Sequence, residues 1–145
     1  MFVIFKIFKL LIEMKTFERG RSVKVTLGLG KRVLIKKWFD DLGISSNAYV
    51  INDDFSIDYN SWLNLENTNI TKLPNNLTVN GWLDLRNTNI TELPDNLTIH
   101  HSLFLDNTKI TKLPDNLKVK GNILITIDMK LSYVPKYLKN KIKII

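Results

Sequence analysis

A chain of 145 residues with a formal net charge of +7 has room for one core and a lead-in. It contains no cysteine, which excludes disulfide frameworks and thiol chemistry and favours a reducing compartment, and it has no apolar run of the roughly 18 residues needed to span a bilayer. The charge is uneven: residues 1–37 hold ten Lys/Arg against two Glu, residues 38–101 hold two basic residues against nine acidic, and residues 102–145 hold nine Lys against three Asp.

Residues 1–20 form an apolar and basic segment. Within it, Met1–Met14 (MFVIFKIFKLLIEM) carries Lys6, Lys9 and Glu13 at helical spacing, a narrow polar stripe on an otherwise apolar helix. A signal peptide needs positive charge before its apolar run and a small-residue cleavage site after it, and neither is present. The segment reads as an interfacial helix, a helix docked on the repeats, or an extension upstream of a start at Met14. These features point to an intracellular location, in the cytoplasm or a host cytoplasm.

Residues 21–56 read as a helical N-terminal cap. Ser22 caps a short helix over Val23–Leu27, and the Gly-Leu-Gly of residues 28–30 is expected to break it. A second helix is expected over Lys31–Leu42, with Val33, Leu34, Trp38 and Leu42 on its apolar stripe and Gly43 as its stop. The Gly28, Gly30, Lys31 cluster is not a phosphate-binding loop, because Val25 and Arg32 occupy the positions where that loop needs a glycine and a hydroxyl. Arg21, Lys24, Lys31, Arg32, Lys36 and Lys37 form a basic patch on an outline similar to a helix-turn-helix. It would suit nucleic acid or an anionic membrane; the alternative is a cap hiding the apolar edge of the first repeat. Asn52, Asp53 and Asp54 make a polar turn.

From Trp62 the chain repeats: WLNLENTNITKLPNNLTVNG, WLDLRNTNITELPDNLTIHH, SLFLDNTKITKLPDNLKVKG, each twenty residues long. A fixed period of this size means a solenoid whose units bury their apolar faces only by stacking. The recurring apolar set of the first copy is Leu63, Leu65, Ile70, Leu73, Leu77 and Val79. Leu-x-Leu alternates at period two and marks a short parallel strand. Pro74, Pro94 and Pro114 remove a donor in mid-repeat, so the return arm is extended rather than helical. Ile57, Tyr59 and Ser61 occupy the places of Leu77, Val79 and Gly81, so the solenoid spans 57–145. In the fourth unit Pro135 lies 21 residues after Pro114, an insertion of one residue. The last strand is Lys141–Ile145, whose lysines blunt an exposed edge or leave it to pair with another copy.

The pattern L-x-L-x-x-T-x-I-x-x-L-P-x-x-L resembles a leucine-rich repeat, in the short form found in effector proteins of bacterial pathogens. It covers Ile57–Ile145, about 60% of the chain. The lead-in KKWFDDLGI…INDDFSID, flowing into such repeats, resembles leucine-rich repeat proteins encoded by bacteriophages. The resemblance implies a concave partner-binding face. In that family Asn usually stands where this chain has Thr68, Thr88 and Thr108, and its side chain satisfies the neighbouring turn; here the threonines, or Asn67, Asn87 and Asn107, must do so.

Strand positions pointing away from the core are the candidate binding residues: Trp62, Asn64 and Glu66; Trp82, Asp84 and Arg86; Ser102, Phe104 and Asp106. Trp, Phe and Arg are frequent interface anchors, while equivalent Trp62 and Trp82 equally suit mutual stacking. His100 and His101 read as turn substitutions, with no carboxylate pattern to complete a metal site and no nucleophile beside them. Sequons at Asn69, Asn76, Asn89 and Asn96 are products of the repeat itself. The expectation is a non-catalytic, protein-binding, monomeric module without a cofactor or small-molecule substrate. The alternatives are nucleic-acid or anionic-membrane binding through the basic patch, and a structural part of a virus particle.

Overall fold

The computed structural model of the chain describes residues 22–145, with side chains from residue 28 onward. The described residues fall into two compact units, divided in sequence between Ile44 and Ser45. The readings of Met1–Met14 and of Arg21 lie outside the described residues, as does the side chain of Lys24.

Among its described residues the first unit contains one helix, α1 (Ser22–Asp41). The expected break at Gly28–Gly30 does not occur. Two glycines cost a helix about 2 kcal/mol relative to alanine, whereas starting a second helix after a break costs a nucleation factor of about 10⁻³, roughly 4 kcal/mol. Continuity is the cheaper solution. The buried face also differs from the expected stripe: Ile35 and Phe39, one turn apart, are buried, whereas Val33 and Leu34 are 49% and 58% exposed. Three consecutive apolar residues, Val33, Leu34 and Ile35, satisfy more than one helical register, and each step rotates the face by about 100°. Gly43 does end the helix. It sits at φ 69°, its N–H donates to the Asp40 carbonyl at 3.0 Å, and the Ile44 N–H donates to the Phe39 carbonyl at 3.0 Å, the paired closure of a Schellman motif.

The second unit, Ser45–Ile145, is a β-solenoid. It opens with a short 3-10 helix, Ser46–Ala48, and a hairpin in which β1 (Tyr49–Ile51) runs antiparallel to β2 (Ile57–Tyr59). The polar turn between them is closed by Asn52 N–H donating to Ser56 O at 2.9 Å and by Asp54 Oδ1 accepting from the Ser56 N–H at 2.9 Å and its hydroxyl at 2.6 Å. Strand β1 carries no signal in the sequence pattern, because Tyr-Val-Ile is short and has no counterpart at the repeat period.

Each coil then carries two strands. They are β2 and β3 (Leu63–Asn64), β4 (Leu77–Val79) and β5 (Leu83–Asp84), β6 (Thr98–Ile99) and β7 (Leu103–Phe104), and β8 (Lys118–Val119) and β9 (Ile123–Ile125), with β10 (Ile142–Ile144) last. The strands form two five-stranded sheets, a first of order β1-β2-β4-β6-β8 and a second of order β3-β5-β7-β9-β10. Apart from β1, every pairing is parallel; between repeats the offset is twenty residues, as in Ile57↔Leu77 and Leu63↔Leu83. A half-unit at Ile57 is therefore present, and the arms are extended as the prolines require. The first sheet stands where the Leu-x-Leu reading places only a return arm, although Leu77 and Val79 alternate as Leu63 and Leu65 do. Leu77, Val79, Leu97, Ile99, Leu117 and Val119 from the first sheet and Leu63, Leu83, Leu103 and Ile123 from the second turn inward, and Ile70, Leu73, Ile90, Leu93, Ile110 and Leu113 from the arms complete the buried core.

Between the two strands of a coil the chain turns a corner. A Cβ on Gly81 would stand 2.5 Å from the backbone nitrogen of Trp62, and one on Gly121 would stand 2.8 Å from the carbonyl carbon of His101. Glycine at these positions lets one corner close on the corner before it.

Two asparagine ladders stitch the coils. Asn67, Asn87 and Asn107 sit at φ 60°, 56° and 53°, and Asn76 and Asn96 at 56° and 57°, left-handed conformations that asparagine tolerates better than most residues. The Asn87 amide donates to Asn67 Oδ1, Asn107 to Asn87 and Asn96 to Asn76, all at 2.9 Å. The threonines act within their own coil: Thr68 Oγ1 donates to Leu65 O and Thr88 Oγ1 to Leu85 O, both at 2.7 Å. Thr108 Oγ1 is buried without a partner. The two roles left open by the sequence are thus divided, threonine closing the turn and asparagine linking neighbours.

In the fourth coil Lys112 bridges Tyr133, an offset of 21, which places the insertion where the proline spacing puts it. A 3-10 helix, Lys136–Lys141, then stands where the first sheet would continue. Tyr137 Oη reaches the carbonyls of Asp115 at 2.9 Å and Leu117 at 2.7 Å, and Lys141 Nζ donates to Lys120 O at 2.9 Å. These side chains occupy carbonyls beside β8 that no further strand takes, while β10 continues the second sheet by pairing Ile142 with Ile123.

Candidate functional site

Strand alternation decides what the second sheet shows to its surroundings. With Leu63, Leu65, Leu83, Leu85, Leu103 and Leu105 buried, the residues between them face outward. Register then lines up Asn64, Asp84, Phe104 and Leu124 in one row. Glu66, Arg86 and Asp106 succeed one another at the same twenty-residue offset. Of the nine candidate residues, eight stand at exposed or half-buried positions along the second sheet, and Asp106 is buried.

Trp62 and Trp82 are both paired, in a tilted arrangement, and exposed. Their ring centroids lie 6.1 Å apart at 59°, yet they remain 62% and 47% exposed. His101 extends the column, edge-on to Trp82 at 6.3 Å and 88°. Its contribution is hidden in the sequence by its place in the corner, where the neighbouring coils carry Gly81 and Gly121. The only signal is that one unit replaces glycine with an aromatic ring.

Arg86 is the hub of the polar part. Its Nε lies 2.9 and 3.0 Å from the two carboxylate oxygens of Asp84, and Nη2 donates to Asp84 Oδ2 at 2.5 Å and to Glu66 Oε2 at 3.3 Å. The guanidinium carbon also sits 5.3 Å from the Phe104 ring centroid, within cation–π reach. Its hydrogen bonds to Asp84 hold the Arg86 guanidinium still more firmly protonated than usual.

The row also shows what a change of one residue does. Asn64 Oδ1 accepts from the Glu66 N–H at 2.9 Å, and Asp84 Oδ1 accepts from the Arg86 N–H at 3.1 Å. Phe104 cannot accept such a bond in the next coil. Asp106 is 8% exposed, and its carboxylate oxygens receive no hydrogen bond from another residue. Burial pushes its carboxyl above the ordinary 3.8, Arg86 and its own backbone N–H pull it back, and the Asp84 charge raises it further.

No family model, curated protein or solved structure matches the chain. The reading of the site therefore rests on its geometry.

The basic patch is less exposed as charge than its composition suggests. Lys36 pairs with Asp40 at 3.3 Å and Lys37 with Asp41 at 2.6 Å, one helical turn on. Lys31 is exposed and Arg32 half-buried. Among the described residues no group of three His, Asp or Glu side chains is placed to hold a metal ion, and no helix is long and apolar enough to cross a membrane. A groove of about 570 Å³ lies on the proline arms between Lys72, Pro74, Asn75, Glu92, Pro94 and Asp95; the exposed Lys72–Glu92 pair, 3.6 Å apart, crosses it.

Proposed function

We propose that the chain is a non-catalytic, protein-binding module of the leucine-rich repeat kind, phage- or prophage-related, that binds through the outward face of its second sheet. The observation that carries this reading is the exposure of two large aromatic side chains in contact with each other, Trp62 and Trp82, beside Phe104 and the Arg86 hub. Rigid aromatics and arginine supply much of the energy of protein interfaces at little entropic cost. Their places in or beside the short strands of stacked coils limit their freedom before a partner arrives. Binding of nucleic acid or an anionic membrane through the lead-in has less support, since Asp40 and Asp41 offset Lys36 and Lys37.

The test is affinity capture from the source cells with the wild type and a Trp82→Ala, Phe104→Ala double variant. The double variant loses the captured partner and is destabilised by about 1–2 kcal/mol, the scale of one aromatic pair and a cation–π contact. An unchanged captured set removes this reading. A collapse of the melting temperature instead assigns the aromatics to stability alone.

A further inference from the structure

The outward face of the second sheet carries more acid than base. Glu66, Asp84 and Asp106 stand around Arg86, which is already bonded to Asp84 and Glu66, and Lys143 ends the row beyond Leu124. Asp106 is the carboxylate left over. It is 8% exposed with no hydrogen bond from any other residue, a costly state for an ionised group unless opposite charge is supplied. The rings of Trp62, Trp82 and Phe104 stand along the same side of the coils, and aromatic π faces attract cations as well as apolar groups. The molecule itself shows the preferred arrangement: Arg86 places its fork on Asp84 while its guanidinium carbon lies 5.3 Å from the Phe104 ring centroid.

We propose that this face recognises an extended partner segment bearing arginine or lysine, an inference that rests on the protein-binding reading above and names the chemistry of the partner. Surplus negative charge draws the segment in, and the carboxylates and the Trp62–Trp82 column hold its cationic and apolar parts. Asp106 acts first at a distance, because a buried carboxylate is screened less than an exposed one. A metal ion does not fit, since no group of three ligating side chains is assembled among the described residues.

The test uses the full chain and a labelled hexa-arginine peptide, with hexa-glutamate and a glycine-serine hexamer as controls, read by calorimetry and tryptophan fluorescence. Hexa-arginine binds and quenches the tryptophans, and binding weakens with salt. Asp106→Asn keeps the side-chain shape and lowers the affinity about fivefold, the upper size of a modest charge–charge contribution; Trp82→Ala also weakens it. Glu92→Gln, on the proline arm, leaves it unchanged. Equal affinity in the wild type and Asp106→Asn, equal binding of all three peptides, or an equal loss with Glu92→Gln each overturns the proposal. If hexa-arginine fails while the Trp82→Ala, Phe104→Ala variant still loses its cellular partner, the cationic preference falls and the protein-binding reading stands. If that double variant keeps the cellular partner, both fall.

Discussion

The two sheets of the solenoid share the same coils but present different outward faces. On the first sheet, register lines up Asp58, Thr78, Thr98 and Lys118, with two successive coils showing the same small polar side chain. On the second, the corresponding row reads Asn64, Asp84, Phe104, Leu124, and the row beside it reads Glu66, Arg86, Asp106. Inward positions of both sheets repeat as leucine, isoleucine or valine through the three full copies. Stacking therefore demands uniformity inside and only β-compatible side chains outside. Large aromatics concentrate on one of two faces that are equally free to vary, and that face is where recognition is proposed.

Substitutions rank along this contrast. Removing the shared interior costs most: Leu85→Ala or Leu77→Ala, each fully buried, loses about 2–5 kcal/mol in urea denaturation, alike for the two sheets. A clear disparity between them would show that one sheet carries the fold. Gly81→Ala drives a Cβ against the Trp62 backbone and costs about 1–3 kcal/mol by overpacking. Asn87→Ala breaks both ladder contacts and puts alanine at a left-handed position, at about 1–2 kcal/mol; Asn87→Gly loses less, because the strain term disappears.

Asp106 gives a pH signature confined to the second sheet. Its folded carboxyl lies above the ordinary 3.8, so its protonated form contributes stability that is present below 3.8 and lost as pH rises through the raised value. The wild type therefore loses stability relative to Asp106→Asn over that rise, and parallel pH profiles would refute this account of the carboxylate. The smallest effect belongs to the first sheet: Thr78→Val with Thr98→Val changes stability by no more than about 0.5 kcal/mol per site and leaves partner capture intact. Loss of capture there would reverse the assignment of faces.

Much of this is legible in one dimension. The twenty-residue period identifies the solenoid, Leu-x-Leu its inward residues, the prolines its extended arms, and Pro135 the slipped register. The candidate face is legible too, because period-two alternation places Trp62, Trp82 and Phe104 outward once their neighbours point in. The lead-in is not. Its glycines act locally against helix, but the cost of a second nucleus outweighs them, and an unbroken Val-Leu-Ile run leaves the helical register undecided.

What the repeat establishes is a set of environments: which positions are buried, which are strand, and how far apart equivalent residues stand. Those come from periodicity, which any segment carries in itself. The meeting of Asn67 with Asn87, of His101 with Trp82, and of Arg86 with Asp84, Glu66 and Phe104 belongs to the folded coil alone. Such contacts depend on side-chain direction and on competition for a single partner between neighbouring positions and successive coils. That competition leaves Asp106 as the carboxylate without a hydrogen bond from another residue, and no count of charges along the chain distinguishes it from the others.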